Sequence, residues 1–197
     1  MDYISELTEI AGENGGLIET KTAAEHGISR AMLSKLYQQK RLQRIAYGQY
    51  ILPDEMEDEL YAIGRRAGRL IFSHETALYL HGISDRTPFE HTVTVPAGSM
   101  PSPSMRRQCR VYYIKPELFD LGKTTMMTPY GNAVACYDLE RTICDIVRSR
   151  NKVGTETFLS ALRLYADSPR KDLNRLYAYA KQLRVTKTMR QYLEVLL

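Results

Sequence analysis

The chain has 197 residues, of which 44% are hydrophobic and 25% charged, a balance that excludes a disordered polymer and suits one small domain joined to a larger one. No apolar run approaches the ~18–20 residues of a membrane span, and the N-terminal MDYISELTEI lacks the basic region and apolar core of a signal peptide. Three cysteines, Cys109, Cys136 and Cys144, are an odd count without CxxC spacing. Neither a disulfide framework nor a structural zinc site is expected, and buried thiols in a reducing cytoplasm are.

The net charge of +4 is unevenly spread. From Met1 to Gly27 six acids stand against one base, Lys21. From Ile28 to Tyr50 five bases (Arg30, Lys35, Lys40, Arg41 and Arg44) stand without an acid. A one-signed stretch inside a small unit is the footprint of a phosphate-facing surface. A solvated face of no function commonly carries compensating acids.

In chain order, Tyr3, Ile4, Leu7 and Ile10 recur at helical spacing and predict a helix over 2–12, closed by Gly12. Leu17-Ile18 suits a very short strand. Thr20 is the expected cap of a helix over Lys21–His26, with Gly27 as its left-handed stop. Ser29 is positioned to cap the next helix, Arg30–Gln39, whose inner side takes Leu33, Leu36 and Tyr37 and whose outer side takes Arg30, Ser34, Lys35 and Gln38. LQRIAYGQYIL (42–52) then reads as a β-hairpin turning at Tyr47-Gly48. A hairpin directly after such a helix is how a wing is built. Pro53 closes the unit, and the boundary is expected at residues 55/56.

The acidic stretch 54–59 opens a new helix, and Ser73 is the expected cap of another that ends at Gly82. HTVTVP (91–96) alternates as a strand, PAGSMPSPSM (96–105) reads as a loop, and strands are expected at 110–114, 124–128 and 134–136. The last third is helical. Asp138 caps 139–148, Thr155 caps 156–166, Ser168-Pro169 opens a further helix, and a final helix reaches Leu197. The fold class expected is α+β: an N-terminal winged helix-turn-helix (1–55), then a larger mixed domain (56–197) with a small sheet and a C-terminal helical subdomain.

Within the helix-turn-helix, base recognition falls to Arg30, whose fork suits guanine, with Ser29 or Ser34 free to take base or phosphate. Lys35 and Gln38 share that face. Lys40, Arg41, Arg44 and Tyr47 lie where a wing meets phosphates, which position a protein without specifying sequence. A second basic concentration includes Lys181, Arg184, Lys187 and Arg190, whose spacing allows one helix face unless Arg184-Val185-Thr186 interrupts it, and which suits a second nucleic-acid face and a solvated surface equally. Three other motifs dissolve on inspection. His74 and His81 lie at i, i+7, about 10.5 Å apart along a helix axis, where HExxH needs i, i+4. LGKTT (121–125) lacks the first glycine of a phosphate loop, Glu117 standing at that position, and precedes a strand. Asp138, Glu140 and Asp145 read as a cap and an i, i+4 ion pair of Arg141 with Asp145. No residue has the setting of an activated nucleophile, so no enzyme activity, metal or cofactor is expected.

KRLQRIAYGQYIL, GRLIFSHETALYLHGIS and YDLERTICDIVR resemble the AbiEi family, antitoxins of bacterial type IV AbiE toxin–antitoxin (abortive infection) systems. The resemblance runs from about Ile4 to the final helices. It implies a winged domain that represses its own operon at inverted repeats in double-stranded DNA. It implies also a C-terminal domain that counteracts a nucleotidyltransferase-like toxin, AbiEii, without a stable complex. A monomer in solution, two copies on DNA, a cytoplasmic location and no membrane association complete the expectation. Two alternatives stand beside it: a winged-helix regulator whose C-terminal domain senses a ligand or dimerises, and a nuclease or nucleotidyltransferase with a winged targeting domain.

Overall fold

In the computed structural model the described residues are 3–84 and 87–193. They divide into two compact units, one of residues up to 66 together with Thr128–Asn132, the other of 67–127 and 133 onward.

The first unit starts with α1 (Tyr3–Glu13), which turns Leu7, Ile10 and Ala11 inward. A two-residue strand, β1 (Ile18–Glu19), leads into α2 (Thr20–Glu25) and α3 (Arg30–Gln38), followed by β2 (Gln43–Ala46), β3 (Gln49–Ile51) and α4 (Glu59–Arg66). The strands form an antiparallel sheet in the order β1-β3-β2. The first three helices and the sheet close over one core that includes Leu7, Ile10, Ile18, Ile28, Leu33 and Leu36. Tyr37, expected inside, is 46% exposed. Thr20 is not the cap of α2. Glu19 occupies the cap position without a side-chain cap bond, and Thr20 Oγ1 instead donates to the Gly48 carbonyl, tying the helix start to the hairpin turn.

Helix α4 belongs with the first unit, eleven residues past the boundary expected at 55. Gln49 Nε2, on a buried residue, donates to the Ala62 carbonyl at 3.1 Å, and Arg65 pairs with Glu19, which holds its guanidinium pKa above the ordinary value. Asp58 caps α4 by accepting from Tyr61 N at 3.0 Å. Its other oxygen accepts from Thr128 Oγ1 and Asn132 Nδ2, so the far-off segment 128–132 is bound by one carboxylate.

The second unit is a mixed α+β layer structure. Its five-stranded sheet has the order β6-β5-β4-β8-β7, from β4 (Ile71–Phe72), β5 (His91–Pro96), β6 (Cys109–Ile114), β7 (Lys123–Met127) and β8 (Ala133–Tyr137). Two pairings, β5 with β6 and β4 with β8, are parallel. The helices are α5 (His74–Leu80), α6 (Pro103–Gln108), α7 (Leu139–Arg148), α8 (Thr155–Asp167), α9 (Leu173–Gln182) and α10 (Thr186–Leu193). The last four make the expected C-terminal helical region, and the final residues 194–197 lie outside the described ones. None of the described helices is long and apolar enough to cross a membrane.

Several local expectations are corrected. The 96–105 loop is shorter because Ser102 accepts from Met105 N and starts α6. Gly154, not Thr155, holds the cap position of α8. Ser168 ends α8, and Asp172 caps α9 by accepting from Arg175 N. Ser73 precedes α5 without a cap bond; its hydroxyl accepts from Thr94 Oγ1 at 2.9 Å. All three cysteines are free thiols and buried.

Helix α7 is capped by Asp138, which accepts from Arg141 N at 2.8 Å. An i, i+4 ion pair suits a solvated helix face, but every residue from Leu139 to Val147 is buried. The Arg141–Asp145 pair therefore has no water: Nε donates to Asp145 Oδ2 at 3.0 Å, with side-chain exposures of 0% and 4%. Nη1 donates to the Leu118 and Leu121 carbonyls, and the guanidinium lies 4.0 Å from the Tyr137 ring centroid. Removing one partner of such a pair strands the other. Arg141→Met should therefore lower unfolding free energy by about 3–5 kcal/mol, whereas Arg141→Met/Asp145→Leu should recover much of that loss in denaturant titrations.

His74 starts α5 with a left-handed backbone, φ 48°. Its Nδ1 lies 3.0 Å from Ser73 Oγ and its Nε2 3.0 Å from Ser149 Oγ, and its ring stacks on Tyr112 at 3.5 Å. Burial first, then the charges of Arg141 and Arg148, push its pKa down from 6.5 to about 3. The unfolded chain takes up this proton below 6.5 while the folded chain stays neutral to about 3, so stability falls across that window as pH drops. At about pH 5 the loss should be roughly 2 kcal/mol. His74→Asn, which tolerates the same backbone region, should show a smaller drop in urea midpoint between neutral and mildly acid pH; an equal drop would exclude His74 as the cause.

Candidate nucleic-acid interface

The helices α2 and α3 meet at a tight corner dictated by Gly27, whose φ is 77°. Gly27 N donates to the Ala24 carbonyl and Ile28 N to the Ala23 carbonyl, the paired bonds of a Schellman stop, and Ile28 plugs the core behind it. Ser29 then caps α3, its Oγ accepting from Met32 N at 3.2 Å. That hydroxyl is committed as an acceptor to the helix, which leaves Ser34 the freer of the two serines.

Leu33 and Leu36 are the residues of α3 that are buried, so Arg30, Ser34, Lys35 and Gln38 are all exposed. The helix ends in a second Schellman stop, with Lys40 N donating to the Tyr37 carbonyl and Arg41 N to the Leu36 carbonyl. Here the left-handed position is held by a lysine, at φ 58°. The chain turns sharply there, so Lys40 and Arg41 lie at the junction of helix and hairpin, both exposed.

In the hairpin the pairing register shifts between Arg44 and Ala46. Arg44 Nε donates to the Ala46 carbonyl at 3.2 Å, which holds the guanidinium over the Tyr47 ring, 5.5 Å from its centroid. Tyr47, at the hairpin tip beside Gly48 (φ 73°), is 84% exposed. None of Arg30, Lys35, Lys40, Arg41 and Arg44 has an acidic partner among the described residues. The structure thus gathers every residue that the sequence singled out in this unit onto a capped helix, the hairpin that follows it and the turn between them.

The second basic set is not one helix face. Lys181 is in α9, Lys187 and Arg190 are in α10, and Arg184 lies between them with φ 58°. It is the left-handed residue of another Schellman stop, Val185 N donating to the Ala180 carbonyl. All four are exposed, but the chain bends where a continuous face would have to run. Asp145 is buried in its pair with Arg141, and His81 Nε2 is 2.8 Å from the Tyr137 carbonyl. Among the described residues no group of three or more His, Cys, Asp or Glu is arranged to hold a metal ion.

No protein-family model matches the chain, and no match is found among the curated proteins. In three dimensions the chain is similar to the RV2827C protein from Mycobacterium tuberculosis, known from its crystal structure, with a TM-score of 0.64, 14% identity, and coverage of 92% of this chain and 75% of that one. At that identity the likeness concerns the fold alone.

Lys40 offers a test of this geometry in the protein without any partner. A left-handed backbone costs an L side chain about 1 kcal/mol relative to glycine. Lys40→Gly should therefore give a higher unfolding midpoint than Lys40→Ala, which keeps the left-handed cost; circular-dichroism melts of the two variants check it.

Proposed function

We propose that the first unit is a winged helix-turn-helix that binds double-stranded DNA, and that the chain is an autoregulating antitoxin of the AbiE kind. On this reading α2 crosses the backbone, α3 enters the major groove with Arg30 and Ser34 at its leading end, and the hairpin is the wing. Lys40, Arg41, Arg44 and Tyr47 meet phosphate and sugar. The observation that carries the reading is the exposed, acid-free basic surface shared by α3 and the hairpin, capped and turned so that five cations project from two adjoining elements. A solvated surface without function would have no reason to exclude acids over 23 consecutive residues.

The binding site proposed is an inverted repeat upstream of the protein's own operon, read by two copies that are monomers in solution. The second unit is then the part that counteracts a nucleotidyltransferase-like toxin without forming a stable complex with it. The resemblance in SHETALYLHG (73–82) and DLERTICD (138–145) supports that assignment. The second reading, a regulator that senses a ligand through the second unit, is favoured by one observation, a basic cavity described below.

Gel-shift titrations of the upstream DNA at rising salt test the first step. Contact with three or more phosphates gives a log–log slope of about −3 or steeper. Arg41→Gln/Arg44→Gln should weaken specific and nonspecific DNA alike and flatten the slope by about 2. Arg30→Ala should cost about 1–3 kcal/mol on the specific site and relax its sequence preference. A salt-independent affinity would overturn the DNA reading.

The antitoxin step is tested in the full chain, because segment 128–132 completes the first unit and a truncation near residue 54 would strand it. Arg30→Ala/Lys35→Ala/Arg44→Ala should lose repression of the upstream promoter yet still rescue growth beside the toxin encoded next to it. Loss of rescue together with repression would favour a plain regulator.

A further inference from the structure

We propose that the second unit carries a binding site for a small ligand bearing a phosphate group, in the cavity between the edge strand β6, the start of α5 and the C-terminal end of α7. The cavity has a volume of about 460 Å³, within the range of small-molecule sites. Four cations line it (Arg110, Arg141, Arg148 and Lys152) against a single carboxylate, Asp145.

Their pairing shows which charges remain for a ligand. Arg141 and Asp145 satisfy each other. Arg110 is shared between Glu75 and Glu90 and also donates to the Lys152 carbonyl, which pins the turn after α7 beside β6. Arg148 and Lys152 are exposed and have no acidic partner among the described residues. Two uncompensated cations, four residues apart across a helix end, form a mouth that attracts an anion.

Deeper in, Arg141 Nη2 is buried and has no hydrogen-bond partner in the chain, although its side chain is 0% exposed. A buried charged donor without an acceptor is costly, and proteins seldom keep one unless something fills the place. Nε and Nη1 are already fixed by Asp145 and two carbonyls, and Nη2 lies beneath the surface, so Arg141 lends the cavity positive potential rather than a direct contact.

The wall opposite is stiff and neutral. His74 is held between Ser73 and Ser149 and stacked on Tyr112, with a left-handed backbone at φ 48°. Such strain persists where the surroundings over-determine it, and it concentrates at binding sites. Ser149 and Asn151, both lining residues, add uncharged polar groups. The volume exceeds that of a phosphate ion and leaves room for an attached organic group against Val111 and Ile114.

The proposal stands whether or not the first unit binds DNA, and its test separates the two. Isothermal titration of the full chain at fixed ionic strength uses two probes, inorganic phosphate and ribose 5-phosphate. Saturable binding of one equivalent is expected for at least one of them. Arg148→Gln/Lys152→Gln, both surface changes, should weaken it tenfold or more, while Arg41→Gln/Arg44→Gln in the first unit should leave it unchanged. Tighter binding of the ester assigns an organic phosphate, and equal binding assigns phosphate itself. No saturable binding of either probe, or binding undiminished in Arg148→Gln/Lys152→Gln, would overturn the proposal.

Discussion

An arginine with no access to water organises the second unit. Arg141 lies on a helix whose residues from Leu139 to Val147 are all buried, so its charge must be answered within the protein. Asp145 answers it one turn along the same helix, the Leu118 and Leu121 carbonyls answer it from the connection before β7, and Tyr137 at the end of β8 lies under the guanidinium. Three separate stretches of chain are thereby fixed to one side chain. The demand extends to Gly122: a Cβ there would come within 2.6 Å of Arg141 Cβ, so the connection passes over the arginine only because that position has no side chain. A buried ion pair is a poor source of stability compared with apolar packing, and its value lies in specifying one arrangement. Here the arrangement specified is the path of the chain between β6 and α7.

A different constraint shapes the first unit, where the issue is how to bring charge together at a surface. Helix stops of one type do most of this. At Gly27 the stop sets the corner between α2 and α3; at Lys40 the same bond pattern sets the exit of α3. Glycine at the first and lysine at the second place the bend identically but differ in what projects from it. A basic residue in the left-handed position costs the backbone some stability and puts a cation at the helix end, where it also interacts favourably with the carbonyls of the last turn. Arg184 repeats the device at the end of α9. There it divides a basic stretch that sequence spacing alone would run along one helix.

These particulars show what the sequence made legible. Helices with a strong side-chain cap and a clean apolar stripe were readable to within a residue or two: α3 behind Ser29 and α7 behind Asp138. The hairpin at Tyr47-Gly48 was readable because its turn chemistry is specific. Thr20 does not cap its helix because a hydroxyl beside a helix start can serve a partner remote in sequence, here Gly48. Strand β4 gave no periodic signal, since two residues cannot, yet it lies in the middle of the sheet between β5 and β8. The incorporation of α4 and of segment 128–132 into the first unit depends on Asp58 and Gln49, polar groups whose partners lie far along the chain. The exposed basic residues of the first unit were legible one by one, because exposure follows from helical phase. The cavity beside His74 was not, because its wall joins residues 74, 110 and 141, which only the fold brings together.

The two basic regions differ in the feature that decides what each can hold. In the first unit the cations are exposed, unpaired and spread along a helix and a hairpin, so each can meet a separate charge on an extended partner. Water screens them, and their combined effect must depend strongly on salt. In the second unit four cations line a cavity of about 460 Å³, and one of them, Arg141, is excluded from water. Water still screens Arg148 and Lys152 at its rim, and only Arg141 is shielded from it. An exposed row of charges suits a polyanion that runs past it, whereas an enclosed cluster suits a single anionic group that enters and stops. The net charge of +4 is too small to distinguish these cases. The burial of Arg141 and the exposure of Arg30 distinguish them directly.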